Sequence, residues 1–192
     1  GTDTGEFVEV AGEAGADLTG WTLVFYNGSN GASYATEALG GTLTDRVDGY
    51  GFLVVNRPVN GIQNGSPDGI ALVDDNGVVV EFLSYEGDFT ATDGPAAGLT
   101  STDVGVAEPS GTPAGSSLQL TGTGTTSADF SWTGPAGETP GAANVGQSFG
   151  DAPPPLVFIH EVQGSGSSVA ITTPVTVEAI VTSLFEKRAV GL

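Results

Sequence analysis

Glycine and proline interrupt this chain so often that its sequence favours short elements over long helices. The 192 residues include 31 glycines and 11 prolines, spread along the whole length. In a helix interior, glycine costs about 1 kcal/mol relative to alanine and proline costs about 3 kcal/mol. Apolar residues make up 39% of the chain, which is enough to build a core. The sequence therefore predicts a loop-rich, all-β fold.

Short apolar runs supply the predicted strands. They lie at residues 6–10, 21–26, 51–55, 70–73, 78–83, 117–121 and 130–132. Between the fourth and fifth runs, the sequence DDNG at 74–77 predicts a β-hairpin, because Asn-Gly readily adopts the positive φ angles of a tight turn. Runs of this length at near-regular spacing are typical of a β-sandwich, and Trp21 and Trp132 are predicted to belong to its core. The irregular stretch 93–115 is expected to carry function or to cover a sheet edge.

The amino-acid composition of the chain changes after Phe149. Residues 150–155 contain three consecutive prolines and predict a stiff, extended linker. Two apolar segments follow, at 156–162 and 175–181, and two or three strands cannot enclose a core of their own. The predicted organisation is a β-sandwich at 1–149, a linker at 150–155 and an incomplete β unit at 156–192.

Acidic residues dominate the charge. The chain carries 23 Asp+Glu against 4 Lys+Arg, a formal net charge of -19. Because nucleic-acid binding depends on basic side chains that displace counterions, this segment is not expected to bind DNA or RNA directly. Two interpretations of the acidic excess remain open: the carboxylates form a well-hydrated surface, or some of them form specific cation sites.

One loop holds the candidate metal ligands, Glu86, Asp88 and Asp93. Calcium needs several oxygen ligands converging from a loop, and this stretch offers three carboxylates, although without EF-hand spacing. The alternative is a solvated loop. No cofactor other than Ca²⁺ is suggested by the sequence.

The sequence has few of the residue types that catalytic sites commonly use. The chain has no Cys, and His160 is its single histidine, so triads with a histidine base and histidine-built zinc sites are not expected. No apolar stretch is long enough to span a membrane as a helix. The sequence predicts a non-catalytic segment that does not enter membranes.

Six motifs, in order, carry a family resemblance. They are EFVEV at 6–10, DLTGWTL at 17–23, SPDGIALVD at 66–74, SLQL at 117–120, FSW at 130–132 and TPGAAN at 139–144. Together they resemble the lamin-tail domain, and the resemblance covers about 145 residues. It implies an immunoglobulin-like sandwich from a secreted or cell-surface bacterial multidomain protein. The segment 156–192 is similar to the start of the OB-like domain that precedes the catalytic domain in extracellular nucleases of the endonuclease/exonuclease/phosphatase type.

The resemblance also implies that a first strand, found before the EFVEV motif in relatives, is missing. A missing strand leaves backbone groups unpaired on its neighbour. Residues 156–162 have a similar pattern, so this segment, or the same segment of another copy, is expected to fill the vacancy. A strand-exchanged homo-oligomer would result.

These expectations converge on contact rather than catalysis. The favoured interpretation is an accessory module of a secreted nuclease or related phosphoesterase, which contacts a protein, an extracellular polymer or its own downstream catalytic domain. The alternative is a structural or adhesive cell-surface module with no enzyme attached.

Overall fold

A computed structural model describes residues 4–109 and 111–150. Most of the predicted linker, the predicted OB-like segment at 156–192, the strand candidate at 156–162 and His160 lie outside the described residues.

The described chain folds into ten β-strands and one short 3₁₀ turn. The strands are β1 (Phe7–Glu13), β2 (Thr22–Asn27), β3 (Ala32–Ala38), β4 (Tyr50–Asn56), β5 (Asp68–Val73), β6 (Val79–Tyr85), β7 (Thr102–Asp103), β8 (Ser116–Gly124), β9 (Phe130–Gly137) and β10 (Gln147–Phe149); the turn is Ser127–Asp129. No helix among these residues is long and apolar enough to cross a membrane. The prediction of an all-β fold is confirmed.

Five strands form the largest sheet, in the order β3-β2-β5-β6-β7. The predicted hairpin joins β5 to β6: Gly77 has a φ of 79°, and the Asp74 carboxylate accepts the backbone N–H groups of Asn76 and Val78. Strand β3 was absent from the sequence prediction and pairs with β2 along its whole length. Strand β7, inside the stretch predicted to be irregular, pairs in parallel with the edge of β6.

One face of this sheet packs against the antiparallel pair β1-β4. Leu23 and Phe25 of β2 lie at the centre of the contact, with Val8 and Val10 of β1 packed against them. Leu53 of β4 also joins this cluster. Two sheets meeting through alternating apolar side chains are consistent with the predicted sandwich.

The loop after β6 covers the opposite face of the five-stranded sheet. Phe89, Ala91 and Ala96 join Tyr26 and Phe82 in a second buried cluster. The Tyr26 hydroxyl accepts the backbone N–H of Ala96 at 3.1 Å, which fixes the loop to the sheet. Part of the stretch 93–115 therefore covers a sheet face, while β7 covers a sheet edge.

The remaining three strands form a sheet in the order β10-β8-β9. Its Phe149 stacks on Tyr50 of β4, with ring centroids 4.5 Å apart, and also contacts Phe52 and Phe130 at 5.7 and 5.4 Å. This aromatic cluster ties the end of the described chain to the side of β4 that faces away from Leu23 and Phe25.

Candidate functional site

The three carboxylates predicted to bind calcium do not come together. Asp93 is exposed and accepts the backbone N–H of Ser33 at 2.7 Å, and this hydrogen bond lowers the pKa of Asp93. Glu86 instead lines a shallow depression with Asp103, on the other side of its loop. Within the ranges 4–109 and 111–150, no three His, Cys, Asp or Glu residues form a group that could hold a metal ion. The predicted Ca²⁺ site at Glu86, Asp88 and Asp93 is therefore not assembled here.

A different feature stands out, along strand β1. An apolar cleft of about 280 Å³ runs between β1 and β6. Its wall is made mainly of aliphatic and aromatic side chains, including Val10, Leu18, Trp21, Leu43 and Leu72. The carboxylates of Asp17 and Glu81 and the side chain of Ser127 also line it. We call this feature the β1 cleft. No residue of β4 lines it, so the cleft opens on the side of β1 that faces away from β4.

That side of β1 is also an unpaired strand edge. In the β1-β4 ladder, Arg57 donates its backbone N–H to Glu6 and Ala14 donates to Gly49. Since the register is constant, the even-numbered residues of β1 bond to β4, and the backbone groups of the odd-numbered residues point the other way. At the end of the strand, the C=O of Glu13 accepts the N–H of Ala16, which leaves Phe7, Glu9 and Ala11 as the open part of this edge. No described strand pairs with this edge.

Glu81 is the cleft carboxylate whose side chain has no partner among the described residues. It is half-buried opposite Leu72, on the sheet face that packs toward β1, and its side chain makes no hydrogen bond or ion pair with any described residue. Burial raises the pKa of the Glu81 carboxyl, because little water is left to solvate the charge. A cation or a hydrogen-bond donor that enters the cleft would stabilise the charged form of this carboxylate.

Other carboxylates near β1 are already satisfied, or lie on its outer side. The Glu9 carboxylate accepts the backbone N–H of Gly141 at 2.6 Å, and burial raises its pKa more than this bond lowers it. Asp17, at the other end of the cleft, accepts both the N–H and the hydroxyl of Thr19, which lower its pKa. Glu81 is therefore the cleft carboxylate that is left for a ligand.

Basic side chains are nearly absent from this part of the molecule. Arg46 and Arg57 are the basic residues of 4–150. Arg57 pairs with Glu37 and lies over the Phe25 ring, so its charge is engaged in the fold. The surface around the cleft is thus acidic without an internal counter-charge at Glu81.

Sequence reasoning missed both parts of this site. Glu81 lies in an apolar run that was correctly predicted as a strand, and no single-sequence signal separates it from a solvated glutamate. Trp21, predicted to be core, packs against the core cluster and also lines the cleft. Trp132, also predicted to be core, is half-buried in β9 opposite Leu120 and belongs to neither buried cluster.

Comparison of the chain with protein-family models, with curated proteins and with solved structures finds no match.

Proposed function

We propose that this chain is a non-catalytic contact module from a secreted bacterial multidomain protein, accessory to an extracellular nuclease or related phosphoesterase. The observation that carries the contact role is an edge of β1, beside an apolar cleft, with which no strand in the described ranges pairs. Exposed edges of this kind readily pair with another chain, and proteins normally block them. An edge left open next to apolar surface is suited to binding a segment of a partner.

The lamin-tail resemblance supports the rest of the proposal. The SPDGIALVD motif spans β5 at the centre of the five-stranded sheet, and the DLTGWTL motif supplies Leu18, Trp21 and Leu23 to the core beneath β1. Residues of these motifs thus serve packing, which supports the interpretation of the motifs as core positions that the resemblance implies. The link to a nuclease is an analogy with the neighbours of similar modules, because a fold alone does not fix a function.

Turnover assays test the non-catalytic part. The purified chain is incubated with double-stranded DNA, RNA and a chromogenic phosphodiester, each with millimolar Mg²⁺ and then Ca²⁺, beside a commercial nuclease as positive control. We expect no product above the no-protein blank. Hydrolysis that follows the protein through two further chromatographic steps would contradict the proposal.

The coding sequence on either side of this segment tests the accessory part. A metal-dependent phosphoesterase domain in the same reading frame supports the proposal. A row of further β-sandwich modules without any enzyme would favour the structural or adhesive alternative instead.

A further inference from the structure

The outward edge of β1 has the length to pair with one more strand, and the β1 cleft beside Val10, Ala11 and Gly12 has apolar walls for some of that strand's side chains. β1 has seven residues, a length of about 23 Å at the usual rise per residue. Its outward edge presents the N–H and C=O groups of Phe7, Glu9 and Ala11, so an added strand could form a ladder of alternating hydrogen bonds up to Glu13, whose C=O already accepts the N–H of Ala16. An added strand would lie about 4.8 Å from β1 and over the cleft.

Side chains of such a strand would alternate between two environments. Those on the cleft side would meet Val10, Leu18, Trp21 and Leu72, which favour apolar partners. Those on the other side would project beside Glu9 and Glu13, which share the outer face of β1 and disfavour acidic neighbours.

Charge narrows the choice of occupant further. Glu81 is half-buried at the cleft and has no partner among the described residues. A lysine or arginine on the cleft side could lay its aliphatic stem along the apolar wall and bring its cation to this carboxylate. The formal net charge of -19 would repel an acidic segment and attract a basic one.

From these observations we infer that the β1 edge binds, by strand addition, an extended segment of a partner protein whose cleft-facing side chains are apolar apart from one lysine or arginine that pairs with Glu81. This inference rests on the proposed contact role and names its surface and its partner chemistry. It is independent of whether the parent protein is a nuclease, which the turnover assays and the flanking coding sequence address separately.

Synthetic peptides probe the inference directly. The probe is the acetylated and amidated heptapeptide Thr-Val-Thr-Lys-Thr-Val-Thr, which presents Val, Lys and Val on one face. A second peptide carries Glu in place of Lys, and a third carries proline at the same central position. Binding to the full chain is measured by isothermal titration calorimetry at low salt. We expect the Lys peptide to bind at least tenfold more tightly than either of the other two.

Two variants locate the binding site. Ala11→Pro removes an N–H that points away from β4, so it should weaken Lys-peptide binding at least tenfold while the β1-β4 ladder stays intact. Val54→Pro is the matched control, because the N–H of Val54 points outward on the opposite edge of the β1-β4 pair. This variant should bind the peptide like the wild type. Circular dichroism and thermal melts verify that both variants are folded.

Reversing the charge at position 81 tests the ion pair itself, because a purely structural effect would not change the preference between the Lys and Glu peptides. Glu81→Gln should weaken the Lys peptide about tenfold, and Glu81→Lys should reverse the preference so that the Glu peptide binds better. Equal binding of the Lys and Glu peptides to the wild type, or equal loss of binding in Ala11→Pro and Val54→Pro, would overturn the inference. A dimer in sedimentation that Ala11→Pro converts to monomers would also overturn it, because a second copy would then occupy the edge.

Discussion

Replacing Phe149 with alanine should cost a large part of the stability of the fold. The Phe149 side chain is only 7% exposed and touches the rings of Tyr50, Phe52 and Phe130. Truncating a buried phenylalanine to alanine costs about 3–5 kcal/mol through lost burial and the cavity left behind. Each aromatic pair can add about 0.5–1.5 kcal/mol beyond its area, and here three pairs are lost together, so the upper half of that range is expected.

Such a loss is large for a domain of this kind, whose total stability is on the order of 5–15 kcal/mol. With a urea slope of about 2 kcal/mol/M, the unfolding midpoint should fall by about 2–2.5 M. Urea titration followed by tryptophan fluorescence and far-UV circular dichroism measures this shift, and coincidence of the two probes tests whether unfolding has two states.

The control is Val145→Ala, since Val145 is 78% exposed and should shift the midpoint very little. Phe149→Leu keeps most of the apolar volume and should fall between the alanine variant and the wild type. The reasoning fails if Phe149→Ala shifts the midpoint no more than Val145→Ala does. It also fails if the slope falls with the midpoint, because the three-stranded sheet would then be unfolding separately.

Three other measurements follow from single residues. Burial raises the pKa of Glu81 above its ordinary 4.5. The folded state therefore keeps its full stability below that pH and loses some as the pH rises through the pKa of the folded state. The Glu81→Gln variant should melt at a higher temperature than the wild type at about pH 7, and at the same temperature at about pH 4. A lower melting temperature for Glu81→Gln at neutral pH would contradict this. Gly28→Ala should cost about 1–3 kcal/mol in urea unfolding, because the added Cβ would overlap the backbone oxygen of Pro67. An unchanged unfolding midpoint would show that this loop moves to make room at no cost. Millimolar Ca²⁺ should leave the melting temperature unchanged, because Asp93 is hydrogen-bonded to Ser33 and does not form a ligand group with Glu86. A rise in melting temperature with Ca²⁺ that Asp93→Asn abolishes would support the metal site predicted from the sequence.

Strand content was the part of the fold best predicted from the sequence. The apolar run at 70–73 and the Asn76-Gly77 turn specify β5 and the hairpin to β6 through local chemistry alone. Strand β3 has the sequence ASYATEA, with few β-branched or large apolar residues, so it forms a strand because β2 is available to pair with it. Pairing of that kind depends on distant residues, and a single-sequence pattern does not encode it.

The site could not be predicted for a related reason. The sequence offers Glu86, Asp88 and Asp93 close together along the chain, and the fold directs Asp93 toward β3 and Glu86 toward Asp103. Glu81 lies opposite Leu72 in the β5-β6 pair and lines the same cleft as Val10, which comes close only after the two sheets pack. The open edge of β1 likewise depends on which strands the rest of the chain supplies.

The contact of Phe149 with Tyr50 also sets an order of events during synthesis. About 100 residues separate the two rings along the chain, and a ribosome adding about 5–20 residues per second needs roughly 5–20 s to make them. Over that interval β4 can pair with β1 while Tyr50 and Phe52 still lack their aromatic cover. In a nascent chain of this protein, the aromatic face of β4 therefore stays exposed until β10 emerges from the ribosome. Chaperones that bind exposed aromatic surface can act during that interval.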